Sequence, residues 1–160
     1  MIVRVSAEFT RPANTTAYSA GDVIGPATGQ SLITIPCAYT DIAVVGATVE
    51  SSATQDTTGL LYIVNSPTYA PGLDNAAFTP PGYSDQRVGM IQLSTFATNV
   101  LQGAPVAADI AQTSYWSTYY PMKLTDGRIY AALMTVAGFS PASGQQFRIS
   151  LALDVPDRGY

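Results

Sequence analysis

The 160-residue sequence predicts an all-β protein: an antiparallel β-sandwich, jelly-roll-like, with about eight strands and long loops. Three observations lead there. Apolar residues alternate at period two along most of the chain, and no stretch sustains the 3.6-residue period of a helix. Turn-forming residues separate the alternating runs, and no helical segments come between them, which argues against a parallel α/β arrangement. Two long loops between strands favour the jelly-roll version. No internal repeat or composition break divides the chain, so residues 1–160 read as one domain.

Ile2–Phe9 is the first strand, with Ile2, Arg4, Ser6 and Glu8 on one face and Val3, Val5, Ala7 and Phe9 on the other. Arg11-Pro12 ends it. Residues 10–30 carry few large apolar groups and read as an extended arm or contact loop. Leu32–Ile35 is a short strand stopped by Pro36. A longer strand covers Thr40–Glu50, where Gly46 marks a bulge or a close backbone approach. Polar Ser51–Thr58 turns the chain into Leu60–Asn65, whose Leu-Leu-Tyr-Ile-Val run suits burial on both faces.

Residues 66–86 hold prolines at 67, 71, 80 and 81 and glycines at 72 and 82, which makes them a long loop of the kind retained for a contact. Val88–Leu93 resumes strand character. Thr95–Ile110 reads as a short helix or a loop, limited by Pro105. Tyr115–Leu124 is aromatic and β-prone, and Asp126-Gly127 signals a hairpin into Arg128–Val136. After a loop at Gly138–Gly144, Gln146–Val155 is the cleanest half-buried strand: Phe147, Ile149, Leu151, Leu153 and Val155 share one face.

Charged residues make up 11% of the chain, against roughly 25% in typical soluble domains. Of the seven basic residues only Lys123 is a lysine. The surface must therefore be built from Thr, Ser, Ala, Gln, Asn and Tyr, which suits a protein packed against neighbours. A net charge of -4 without a basic cluster argues against nucleic acid, and no apolar run approaches the roughly 20 residues of a membrane helix. The first residues lack the apolar centre of a signal peptide, so synthesis in a host cytoplasm without export is expected.

Chemistry is sparse. With no histidine and a single cysteine, Cys37, neither a zinc site nor a thiol–imidazole pair is expected, and Cys37 reads as a buried, inert thiol. Glu8 and Glu50 are the only glutamates, and most aspartates sit in turn settings, which leaves a glycosidase-type carboxylate pair as a remote reading. Asp74-Asn75 reads as a turn rather than a calcium loop. No catalytic residue, cofactor or metal is expected.

Contact surfaces are the better prospect. Tyr115, Trp116 and Tyr119 offer large, stiff contact area with polar tips; in the run Tyr115–Tyr120 alternate members should enter the core, Trp116 and Tyr120 or the reverse. Arg11, Pro12 and Tyr18 in the first loop and Tyr69, Phe78 and Tyr83 in the second are the other candidates.

Three segments, in order, carry a resemblance. They are Phe9–Ile24 (Phe-Thr-Arg-Pro-Ala-Asn-Thr-Thr-Ala-Tyr, then Gly-Asp-Val), Leu73–Pro80 with Val88–Leu93, and Ile129–Met134 with Phe139–Asp154. Together they resemble a family of virion structural proteins of tailed bacteriophages, with Pro36-Cys37 standing where the family usually has a Gly-Gly or Gly-Ser turn. The resemblance implies a small, non-enzymatic β-sandwich on the capsid exterior that decorates or cements the shell by bridging major capsid protein subunits. Since closed symmetric oligomers are the rule, a homotrimer is expected. A tail or neck component, and a carbohydrate-binding host-attachment module built on Tyr115–Tyr120, are the alternatives.

Overall fold

A computed structural model describes residues 1–53, 59–85, 87–93 and 119–156. Among them the strands are β1 (Ile2–Thr10), β2 (Val23–Ile24), β3 (Ile33–Pro36), β4 (Asp41–Ser51), β5 (Gly59–Val64), β6 (Arg87–Leu93), β7 (Tyr120–Lys123), β8 (Arg128–Thr135) and β9 (Gln146–Asp154). One sheet has the order β1-β9-β4-β7, the other β2-β8-β5-β6, and every pairing is antiparallel. β3 also pairs with β8: β2 lies opposite Met134 and Leu133, and β3 opposite Ala131 to Arg128. They are one edge strand interrupted by a loop.

This is the jelly roll. Taking β2 and β3 together, the strands pair first with last: β1 with β9, β2/β3 with β8, β4 with β7, β5 with β6. The chain is a single antiparallel ribbon, doubled back at the β5–β6 end and folded so that successive pairs fall in opposite sheets.

Alternation then fills the space between the sheets. Ile149, Leu151 and Leu153 of β9, Val44 and Val49 of β4, Leu61 and Ile63 of β5, and Ile129 and Leu133 of β8 form the core with Phe9 and Phe147. The last two are cross-strand partners whose rings stack 5.4 Å apart. Gly46 is a bulge, since the β4–β9 register shifts between Val44 and Gly46. Cys37 is buried, its Sγ 3.7 Å from the Tyr39 carbonyl.

Two expectations are corrected. Asp126-Gly127 is a tight turn, with Gly127 at φ 69° and Asp126 Oδ1 accepting from the Arg128 amide, but it makes no hairpin. It carries the chain from β7 in one sheet to β8 in the other. The β3–β4 crossover runs beside it, joined by Cys37 N–H to Gly127 O (2.9 Å) and Leu124 N–H to Thr40 O (2.7 Å). Turn chemistry is local, whereas the choice of partner strand is made by the two faces each strand must bury.

Residues 10–30 are not an arm. They lie along the body, bonded through Arg11 N–H to Gln145 O, Tyr18 N–H to Phe139 O, Gly21 N–H to Thr135 O and Val23 N–H to Ala76 O, with Val23 and Ile24 fully buried. Val23-Ile24 is too short to show a period, yet it supplies the edge that β8 needs.

Candidate functional site

Arg11 follows β1 immediately, so the strand delivers its side chain to a fixed point at one end of the sandwich. There it is 1% exposed. A buried guanidinium must find acceptors for its donors, and this one does. Nε donates to Tyr18 Oη (2.9 Å). Nη1 reaches the carbonyls of Asn14 (2.6 Å), Ala142 (3.2 Å) and Pro12 (3.3 Å), and Nη2 reaches Asn14 Oδ1 (3.2 Å) and Asp74 Oδ2 (3.4 Å). Asp74, its side chain 5% exposed, also accepts from Tyr18 Oη–H and from the Gly25 amide (2.9 Å). Tyr18 stacks on Phe139 at 4.7 Å, and the Arg11 guanidinium carbon lies 5.2 Å from the Tyr18 ring centre.

This knot ties three loops, 11–31, 66–82 and 136–145, into one unit. Backbone bonds complete it: Ser31 N–H to Gly72 O, Asn75 N–H to Val23 O, Phe78 N–H to Gly21 O, Gly144 N–H to Pro12 O. Asn75 turns the second loop at φ 59°, a conformation that asparagine tolerates. Burial above all, and then the hydrogen bond to Asp74, pushes the Tyr18 phenol upward, so it stays protonated and donates.

The second loop also roofs the outer face of the β2-β8-β5-β6 sheet. Tyr69 packs with Val64, Tyr130 and Ala132, Phe78 lies over them with its ring 4.8 Å from that of Tyr62, and Tyr69 Oη–H donates to Thr79 O at 2.5 Å. β5 and β8 are therefore covered on both faces, as the apolar run in β5 predicts.

What the three loops present outward is a platform without exposed charge. Its exposed positions include Asn14, Thr15, Thr16, Ala27, Thr28, Gln30, Leu73 (55% exposed), Thr79, Pro80, Val136 (42%) and Ser140. Of the charged residues in these loops, Arg11 and Asp74 are buried against each other, and half-buried Asp22 accepts from the Ser19 amide at 2.6 Å. The platform is neutral because its charges have been turned inward.

The contact candidates therefore sort by structure. Arg11, Tyr18 and Tyr69 are buried, and their side chains build the platform rather than meet a partner. Pro12 and Phe78 are half-buried on it. Tyr83 lies in a 3-10 turn, Tyr83–Asp85. Tyr119 is 58% exposed, while Tyr120 turns inward onto β6, its hydroxyl donating to Met90 O (2.7 Å), so alternation holds for this pair. Tyr115 and Trp116 lie outside the described residues, as does 95–110. The residue that sequence reasoning missed is Asp74: a Leu-Asp-Asn turn says nothing of a buried arginine sixty-three positions earlier.

The two glutamates meet on the outer face of the other sheet. Glu8, Arg148 and Glu50 lie in one row across β1, β9 and β4, with Arg148 Nε 2.6 Å from Glu8 Oε1 and Nη1 3.0 Å from Glu50 Oε2. They border a groove of about 220 Å³ with Thr10, Ser51, Ser52 and Gln146. Both carboxylates are engaged by one cation, the guanidinium of Arg148. No protein-family profile matches this chain, and no curated protein matches it at a significant level.

Proposed function

We propose that this chain is a non-enzymatic virion structural protein of a tailed bacteriophage, one that decorates or cements the capsid exterior by bridging major capsid protein subunits. The observation that carries the reading is the neutral loop platform, held rigid by Arg11, Tyr18 and Asp74. A surface of short neutral side chains needs little desolvation when covered, and its ordering cost is met in folding instead of in binding. A protein that binds only the assembled shell stabilises it by mass action. The choice of major capsid protein as partner in this proposal rests on the resemblance of three ordered segments to the phage family.

The test uses purified shells of the source phage. Wild-type protein should cosediment with them, and Leu73→Glu or Thr16→Glu should abolish binding while leaving the circular dichroism spectrum unchanged. Cryo-EM of the particles should place the chain on the head. Density confined to the tail or neck, or binding to a glycan array without binding to shells, would overturn the proposal. Deleting residues 10–20 is an unsuitable probe, because it removes Tyr18 and Arg11 from the fold itself.

A further inference from the structure

A sandwich has edges, and edges are where sheets meet other chains. The described edges of this one differ sharply. β2 and β3 have two and four residues, and β3 ends in Pro36. β7 has four residues, with Pro121 among them. β6 is bulged against β5 and crossed by Tyr120, which occupies the Met90 carbonyl. Short length, proline, bulges and a covering side chain are the recognised ways of blunting an edge.

β1 carries none of these. It runs nine residues without proline, glycine or bulge, in unbroken register with β9, its one strand partner among the described residues; on the other flank the first loop reaches only its C-terminal end, where Ala27 N–H bonds Thr10 O (3.0 Å). Val3, Val5 and Ala7 point toward the core and pack against it while staying half-buried, as side chains of the sheet's last strand do.

We propose that two copies of this chain join through β1, antiparallel and edge to edge, about a two-fold axis at Ser6. The two four-stranded sheets thereby continue into one. The strand's own pattern selects the second copy as occupant. Ser6 is the midpoint of Ile2–Thr10, so this register sets Val3–Phe9 of one copy fully opposite Val3–Phe9 of the other, and only the end pair Ile2 and Thr10 meets a carbonyl already engaged, by Ala27 N–H. It sets Arg4 of each copy opposite Glu8 of the other, and Val3 and Val5 opposite Phe9 and Ala7. An axis at Arg4 or at Glu8 would instead set like charges face to face.

Charge complementarity extends beyond the pair. Glu8 has Arg148 on its β9 side and an open flank on the other, and Arg4 forms no ion pair among the described residues. In the dimer, Glu50, Arg148, Glu8 and Arg4 of the second copy form one row of alternating sign across the fused sheet. The interface is isologous and closes at two copies, not at the three that symmetry alone led us to expect. It adjoins the loop platform only at Ala27, bonded to Thr10 at the end of β1, so self-pairing through Arg4 and Glu8 and shell binding through Thr16 and Leu73 use different residues and are separable.

Light scattering after gel filtration tests this. Wild type should run as a dimer. Arg4→Glu alone and Glu8→Arg alone should each raise the dimer dissociation constant by at least about tenfold, since two attractive pairs become repulsive. Mixing the two variants should restore a heterodimer, because the two β1 glutamates of one copy then face the two β1 arginines of the other. Ser6→Cys, on the axis, should cross-link to a dimer under mild oxidation, whereas Arg4→Cys should not. Wild type that stays monomeric up to about 100 μM, or a trimer indifferent to Arg4→Glu, would refute the proposal. Unchanged shell binding by monomeric Arg4→Glu would leave the decoration reading intact, so the two can fail independently.

Discussion

Replacing Asp74 by leucine removes the anionic half of the knot while Arg11 stays buried and charged. Side-chain exposures of 0% and 5% mean that water cannot compensate the guanidinium. Breaking a buried ion pair from one side costs about 3–5 kcal/mol. Arg11 retains its bonds to Tyr18 and to three backbone carbonyls, which places the loss near the lower end, about 3 kcal/mol. Against a total stability of about 5–15 kcal/mol that is a large fraction. At a urea slope of about 2 kcal/mol/M the midpoint should fall by about 1.5 M, followed by far-UV circular dichroism. Asp74→Asn keeps the shape and one acceptor and should lose less. The double variant Arg11→Met/Asp74→Leu should cost less than the sum of its parts by at least about 1 kcal/mol, since no charge is left stranded. An Asp74→Leu loss under about 1 kcal/mol, or strict additivity in the double variant, would refute the claim that this pair holds the loops.

Gly89→Ala should cost about 1–3 kcal/mol, because a Cβ there would sit 2.6 Å from the Tyr120 ring, and Tyr120→Ala should rescue it; thermal unfolding of the three variants checks this. Ser31→Ala should be neutral or stabilising by up to about 1 kcal/mol, since the buried Ser31 hydroxyl has no partner among the described residues; denaturant midpoints decide it. Burial pushes the Tyr18 and Tyr69 phenols above their ordinary 10.0. Above that pH the unfolded chain releases these protons before the folded chain does. Their contribution is therefore complete below about pH 10 and lost as pH rises, by up to about 1.4 kcal/mol per pH unit per group. Urea midpoints taken stepwise above pH 10 should fall, and less steeply in Tyr69→Phe.

Strands were legible where a period could be counted. The alternation in Gln146–Asp154 reappears residue by residue in its burial, and Gly46 sits at the bulge expected of it. Val23-Ile24 was not legible, because two residues have no period and their strand exists only through β8. Asp126-Gly127 encoded its turn but not which sheet each flank joins. The candidate site divides the same way. Arg11 and Tyr18 stood out as unusual residues in a loop poor in large apolar groups, but their function was read outward when it points inward. Whether a loop side chain faces solvent depends on what lies opposite, and here that is Asp74, on a loop remote in sequence.

By itself, then, the sequence determined the class of the molecule: period-two alternation commits each strand to one buried face, and two sheets are the simplest way to satisfy all of them. It also determined the scarcity of charge. Tertiary structure alone decided which strands pair, that residues 10–30 lie down on the body, and that the loops share one platform. Those outcomes depend on long-range partners, first strand with last and Arg11 with Asp74, and the free energy that selects them arises only when the whole ribbon has folded over.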